Sequence, residues 1–396
     1  MRTFMIGLIF AAGLSVPSAA RAQTNLTLVP SASISAVTDD NIFSSARPSS
    51  DQTTLLSPSL GGSIETPRIN VLGLYSFDML RSASFAALNN IEARRHGMWD
   101  ARFRETARTT LALNGHYDRS DDSGQLNFET GLLVPRRRAE RWELTPSFAY
   151  QATPLVALRG QYDWVREELQ YVMVANEQVA RFGATRQWTS RTSFGLGYLG
   201  RHFVNGDETE TSNAALFGWS YELDPFTMLS VQAGPRLSSR NRLEPEITAS
   251  LGRRGSNLFG YGFDYWRGES IILGVQGPVE LQSATGKISK SLRRNVGIGA
   301  GVGMFDSVTL ASTEARDYHG EAVVTWSPWT YGTISASYGF DIQHGDIRTI
   351  FLAEQAVRRH VFILKFTAAP RLKHTIVPAG PAELLAPAPP SKGVPQ

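Results

Sequence analysis

Residues 92 to 104 carry six ionisable side chains on one parity: Glu92, Arg94, His96, Asp100, Arg102 and Arg104. The same spacing of two continues in Arg108, Asn114, His116 and Asp118, and again in Arg159, Gln161 and Asp163. Arg181, Thr185, Gln187, Arg201, Glu222, Asp317, His319, Glu321 and Lys365 fall on the polar parity of later stretches. Of the 39 basic residues 34 are arginine, and a guanidinium pairs a carboxylate or phosphate through two parallel hydrogen bonds. A row of such groups broken by Asp100, Asp118 and Asp163 could pass an anion along through many moderate contacts. It is equally the pattern of a structural Arg–acid ladder, and residue types alone do not separate the two.

Signals for bond-making chemistry are weak. The seven histidines form neither an HExxH motif nor another close ligand spacing, so neither a metal nor a cofactor is expected. No GxSxG occurs. Gly197 to Arg201 and Gly252 to Gly255 read as strand and turn glycines, because no helix follows that could hold a phosphate. A Ser/His pair of the kind used by barrel enzymes on lipid A could be drawn from His202 with Ser193 or His319 with Ser335, but nothing singles either out. Asp39-Asp40-Asn41 reads as a loop cap ahead of a cation site, and Arg136-Arg137-Arg138 as a solvated loop. With no cysteine there is no disulfide framework and no thiolate chemistry. The expectation is a protein that is not an enzyme.

The element that positions these side chains is clearest from Asn295 to Met304. Val296, Ile298, Ala300, Val302 and Met304 alternate there with Asn295 and four glycines. A period of two puts successive side chains on opposite faces of a strand, and that glycine content rules out a helix. Weaker alternation along the chain marks about eighteen candidate strands, with sixteen possible. Leu26–Val37, Thr54–Ile64, Ala107–Asp118, Glu246–Arg253 and Val357–Ala368 are among them. Tight turns rich in Pro, Gly, Ser and Asp alternate with longer polar stretches at 119–138, 204–212 and 342–356. Short turns on one side and long loops on the other are the mark of an all-β, antiparallel outer-membrane β-barrel, with both termini on the periplasmic side. Its lumen would be lined by Arg94, Arg102, Arg104, Arg108, Asp100, Asp118, Arg159, Asp163, Arg181 and Arg201.

Aromatic residues near strand ends fit the girdles of such barrels: Trp142, Tyr150, Tyr162, Trp164, Trp188, Trp219, Tyr221, Phe226, Trp266, Trp326, Trp329 and Tyr331. Pro30, Pro58, Pro146 and Pro245 each sit a few residues into a candidate strand, in a recurring Leu-x-Pro. Since proline removes a ladder hydrogen bond, the strands are expected to start there or to bulge.

Residues 1–22 read as a secretory signal peptide, with basic Arg2, an apolar Phe4 to Leu14 and Ala20-Arg21-Ala22 at the cleavage site. The apolar run is about half the ~20 residues of a spanning helix. Residues 23–369 are then the barrel, and the Pro- and Ala-rich 370–396 a disordered periplasmic tail. Mean hydropathy is only −0.18, low for a helical membrane protein but compatible with a barrel whose lumen and loops are polar. Removing Arg2 and Arg21 from the formal charge of +3 leaves about +1, so global charge selects no partner.

The stretches PSASISAVTDDNIFSS and LLSPSLGGSIETPRINVLGLYSFD, over residues 26–80, resemble the start of outer-membrane β-barrel porins associated with exopolysaccharide loci, the EpsL-like and PEP-CTERM-associated group. The resemblance implies an outer-membrane protein acting in exopolysaccharide export or biosynthesis. Its motifs specify architecture, so no catalytic residue carries over. Many outer-membrane barrels end on an aromatic residue; here Phe366 is followed by thirty more residues. Combined with the arginines, the resemblance makes a conduit for an anionic polysaccharide the leading expectation. The alternatives are a general diffusion porin for small solutes and a barrel enzyme modifying lipid A or polysaccharide. Expected partners are outer-membrane lipid and lipopolysaccharide, the barrel assembly machinery, polysaccharide and periplasmic export components, but no nucleic acid.

Overall fold

Strict alternation lets each strand satisfy its backbone with two neighbours while turning one face to lipid and the other to a lumen. The computed structural model describes residues 24–126, 133, 136–206, 208–253, 259–273, 275, 277–293, 295–309, 314–345, 356–370 and 372–376. The expected signal peptide and the chain after Ile376 lie outside the described residues.

The strands pair antiparallel with their sequence neighbours, except that the last two both pair with the first. They run β1 (Thr24–Asp39), β2 (Asp51–Glu65), β3 (Ile69–Ser82), β4 (Asn90–Arg104), β5 (Thr109–Ser120) and β6 (Ala139–Thr153). Next come β7 (Val156–Leu169), β8 (Met173–Gln187), β9 (Thr192–Asn205), β10 (Glu208–Asp224), β11 (Thr227–Ser238) and β12 (Leu243–Arg253). The series ends with β13 (Phe259–Ser270), β14 (Val279–Arg293), β15 (Val296–Thr309), β16 (Glu314–Trp329), β17 (Gly332–Gly345), β18 (Val357–Ala368) and β19 (Leu372–Ile376). Closure is made by β1, which pairs β2 on one side and β18 and β19 on the other. Ala32 pairs Ala368 and Leu28 pairs Leu372, so β18 and β19 share one register on either side of Pro370. They are two parts of one closing stave, and the barrel has eighteen. The expected boundary at 369 therefore shifts: Leu372–Ile376 belongs to the wall, because β1 offers it the pairing groups of an otherwise open edge.

On β15 Val302 is 67% exposed, while Gly297, Gly299, Gly301 and Gly303 take the opposite, lumen parity. Leu196, Phe182, Phe217, Ile288 and Phe362 are likewise exposed on the outer face. A closed barrel, apolar outside and charged inside, has lipid as its solvent. The chain is a transmembrane antiparallel β-barrel, and its place is the outer membrane. Trp188, Phe226, Trp329 and Tyr331, all well exposed, crowd the tight turns as a girdle. Trp266 differs, lying on the lumen parity of β13 opposite Thr248.

Two details depart from expectation. The stretch 204–212 is not a loop: β9 runs on to Asn205 and β10 starts at Glu208. The prolines neither start strands nor shift register. Pro30 pairs Leu60, Ala32 pairs Pro58, Leu113 pairs Pro146 and Pro235 pairs Pro245. Each missing N–H instead costs pairing on one side only. The β2–β3 ladder skips from Leu56 to Ser59, and the β6–β7 ladder from Leu144 to Ser147, with register kept. In the second gap a side-chain bond replaces the backbone one, as Thr145 Oγ1 donates to Asp163 Oδ1 at 2.9 Å.

Candidate functional site

Strand register arranges the lumen arginines into a climbing row. From Arg102 on β4, direct cross-strand partners run through Ala112, Ser147 and Gln161 to Arg181 on β8. They continue through Leu199 and Ala214 to Arg236 on β11. Barrel strands tilt against the axis. Accordingly Arg102 lies near the turn end of its strand, Arg181 near the middle and Arg236 near the loop end. Two residues toward the turns, Arg104 and Arg159 share the next row; two residues toward the loops, Asp100, Asp163 and Arg201 share another. A cavity of about 760 Å³ opens against this wall, lined by Arg102, Arg159, Gln161, Arg181, Arg201 and Trp266 among others.

Pairing within the wall grades from loose to tight toward the loop end. Arg102 chelates Asp100 at 3.0 Å yet is 63% exposed. Arg159 is exposed and has no ion-pair partner among the described residues. Arg181 reaches Asp163. Arg201 holds Glu246 by two bonds, 2.7 and 2.9 Å, with both side chains 4% exposed. Arg236, fully buried, is ringed by Glu244, Glu246, Glu269 and Glu280. A buried charge is tolerable only when paired and hydrogen-bonded in this way.

The loop end is narrowed by its own loops. Between β13 and β14, Ile271, Ile272, Leu273 and Val275 are all buried. Leu273 packs with Leu126, Ala139 and Leu169; Ile271 with Ala175 and Phe203; Ile272 and Val275 with Val279 and Ala315. Asn205 Nδ2 on β9 donates to Val275 O at 3.3 Å. From the β5–β6 connection, a short helical turn at Ser123–Leu126 folds inward, and Leu133 N donates to Gln343 Oε1 on β17 at 2.7 Å. Between β1 and β2, Asn41 is fastened by Nδ2 to Ser45 O and Arg358 O, while Arg359 clasps Asp39. Asp39 thus anchors a loop, as the Asx-cap reading expects.

Of the ten residues expected to line the lumen, the structure places Arg94, Asp100, Arg102, Asp118, Arg159, Asp163, Arg181 and Arg201 on inward parity. Arg104 ends β4 at the exposed turn, with its side chain at the rim. Arg108 is corrected: β5 begins at Thr109, so Arg108 sits in the exposed turn and not on the wall. The Arg236 cluster is the main feature that sequence reading misses. The candidate strand starting at Glu246 began too late to show that Glu244 and Glu246 share parity with Arg236 across β11–β12. Glu269 and Glu280 reach Arg236 only because β12 and β13 stop pairing beyond Ile247 and Arg267.

The histidine spacing is a further correction. Without any close motif, β4–β5 register sets His96 opposite Asp118 and Met98 opposite His116, bringing His96, His116 and Asp118 into one cluster.

Fold and site together define a transmembrane barrel with an arginine-lined lumen, narrowed at one end by infolded loops. No protein-family model matches the chain, and no curated protein matches it, so the exopolysaccharide-associated family is not shown. Solved outer-membrane proteins are similar in architecture. Acinetobacter baumannii OccAB4 has a TM-score of 0.47 at 7% identity, covering 89% of this chain and 100% of that one. Pseudomonas aeruginosa OpdQ has a TM-score of 0.46 at 8% identity, covering 88% and 99%. Pseudomonas aeruginosa OpdK, solved with vanillate, has a TM-score of 0.45 at 12% identity, covering 89% and 99%. At such values the fold rests on the strand pairing above.

Proposed function

We propose that this protein is a non-enzymatic outer-membrane channel for small anionic solutes. The observation that carries the reading is the set of arginines lining the cavity, with Arg102 and Arg181 on one climbing row, exposed Arg159 one row toward the turns and Arg201 one row toward the loops. Arginines whose pairing tightens along the path let an anion enter on weakly held groups and exchange between neighbours, which conduction requires. The apolar contacts of Leu273 with Leu126 and Leu169 across the mouth favour small solutes over a sliding polymer. The diffusion porin thus replaces the polysaccharide conduit as the leading reading. Outer-membrane lipid and lipopolysaccharide are the partners for the apolar exterior, and the barrel assembly machinery is the partner for insertion.

The test is single-channel recording in planar bilayers with a salt gradient. The wild type should prefer anions, and the triple variant Arg102→Gln, Arg159→Gln, Arg181→Gln should lose most of that preference while keeping its heat-modifiable migration. Cation preference in the wild type, or unchanged selectivity in a folded triple variant, would sink the proposal.

A further inference from the structure

The wall carries a second constellation that an anion route does not use. His96 and His116 come from adjacent strands β4 and β5, and Asp118 lies directly opposite His96. Two ring nitrogens and both carboxylate oxygens converge. His96 Nδ1 lies 3.0 Å from Asp118 Oδ1, His116 Nε2 lies 3.3 Å from Asp118 Oδ2, and the two ring nitrogens are 3.3 Å apart. The imidazoles meet edge to face, with centroids 4.7 Å apart and planes at 76°.

We propose that His96, His116 and Asp118 form a three-ligand site for a divalent transition-metal ion of the zinc class, on the lumen wall. A tetrahedral ion with N and O ligands at about 2.0–2.1 Å separates neighbouring donor atoms by about 3.3 Å. The two ring nitrogens are already 3.3 Å apart and each lies 3.0–3.3 Å from an oxygen of the one carboxylate, so the three residues stand close to ligand spacing. Imidazole with carboxylate suits zinc rather than calcium or magnesium, which take oxygen. Asp118 is 3% exposed in its side chain, His96 23% and His116 41%. The carboxylate is therefore fixed while the rings stay open to the lumen, leaving a fourth position for water or a solute. Arg94 NH2, 3.2 Å from Asp118 Oδ1, orients the carboxylate and competes with a cation for its charge. Glu143 stands opposite His116 on β6 and adds negative charge on the other side. The site is independent of the anion-channel reading, which uses none of these three residues.

The experiment is zinc titration calorimetry on the full-length, untagged barrel in detergent, with cobalt(II) absorption as a coordination probe. One zinc per barrel and the intense visible bands of tetrahedral cobalt are expected. His96→Ala and His116→Ala should each weaken zinc binding on the order of a hundredfold, at least what loss of an outer-shell partner costs. Arg94→Gln should tighten it, an effect that a merely hydrogen-bonded His–Asp cluster would not produce. No zinc binding by the wild type, or undiminished binding by a folded His96→Ala/His116→Ala double variant, would overturn the proposal. If an alanine variant fails to fold, the wild-type cobalt spectrum decides: tetrahedral bands support the site, and a six-coordinate aquo-like spectrum overturns it.

Discussion

Arg201 on β9 and Glu246 on β12 face each other across two intervening strands through a fork of 2.7 and 2.9 Å bonds, both side chains 4% exposed. Glu246 also accepts from Arg236 NH1 at 3.1 Å. One carboxylate thus serves two buried guanidinium groups. Glu246→Ala should destabilise the barrel by about 3–5 kcal/mol, the usual cost of stranding a buried charge. Replacing Arg201 and Glu246 together by methionine should cost less than the single change, because no charge is then left unpaired by their own contact. Urea-induced unfolding in lipid vesicles measures both. Equal losses in the single and double variants would contradict the pairing.

The infolded β13–β14 segment should govern passage. Ile272 and Leu273 are each 1% exposed among apolar neighbours from β6, β7, β14 and β16. Putting a carboxylate there, as in Ile272→Asp with Leu273→Asp, makes the packed arrangement costly, since a buried unpaired charge is strongly disfavoured. The segment should then leave the mouth, and open-channel conductance should rise severalfold with strand content unchanged. Conductance equal to wild type would show that the segment does not limit flow.

The outer face of β15 offers a test of the lipid boundary. Val302→Arg places a charge where the wild type has a well-exposed valine between Ala300 and Met304. It should cost about 2–4 kcal/mol if the position is near the bilayer midplane. At Asp306, already on the same outer parity near the loop end and paired with Arg316 at 2.8 and 2.9 Å, Asp306→Asn should cost little, about 0–1 kcal/mol, as for exposed ion pairs. Similar costs at the two positions would move the membrane boundary.

Ionic strength gives a check that needs no variant. Arg159 and Arg102 are exposed in the cavity, and exposed charges are screened over about 10 Å at 0.1 M salt and about 3 Å at 1 M. Anion preference should therefore fall steeply between those salt concentrations. A preference that stays constant would point to the buried, tightly paired Arg201 and Arg236 instead.

Alternation alone determined much of this protein. Because a strand has a period of two, the residues from Val296 to Met304 sort into lipid and lumen faces without coordinates. The same rule assigns Arg94, Arg102, Arg159, Arg181 and Arg201 to one side and marks about eighteen strands, with sixteen possible. Periodicity holds no information about what happens where it stops. Strand ends such as Leu243 and Thr109 were misplaced, as was the stretch 204–212. Leu372–Ile376 looked like tail because Pro370 breaks the pattern without breaking the register. Only tertiary structure decided which lumen residues meet, since that depends on register between strands: His96 with His116 and Asp118, and Arg201 with Glu246. Register summed over several strands also sets Arg102, Arg181 and Arg236 on one row. Tertiary structure also decided that the mouth is narrowed by an infolded connection. Ile271, Ile272, Leu273 and Val275 lie in a connection, where no alternation says whether apolar side chains face lipid or fold inward. They fold inward because Leu126, Leu169, Phe203 and Ala315, brought from distant strands, give them a surface that excludes water.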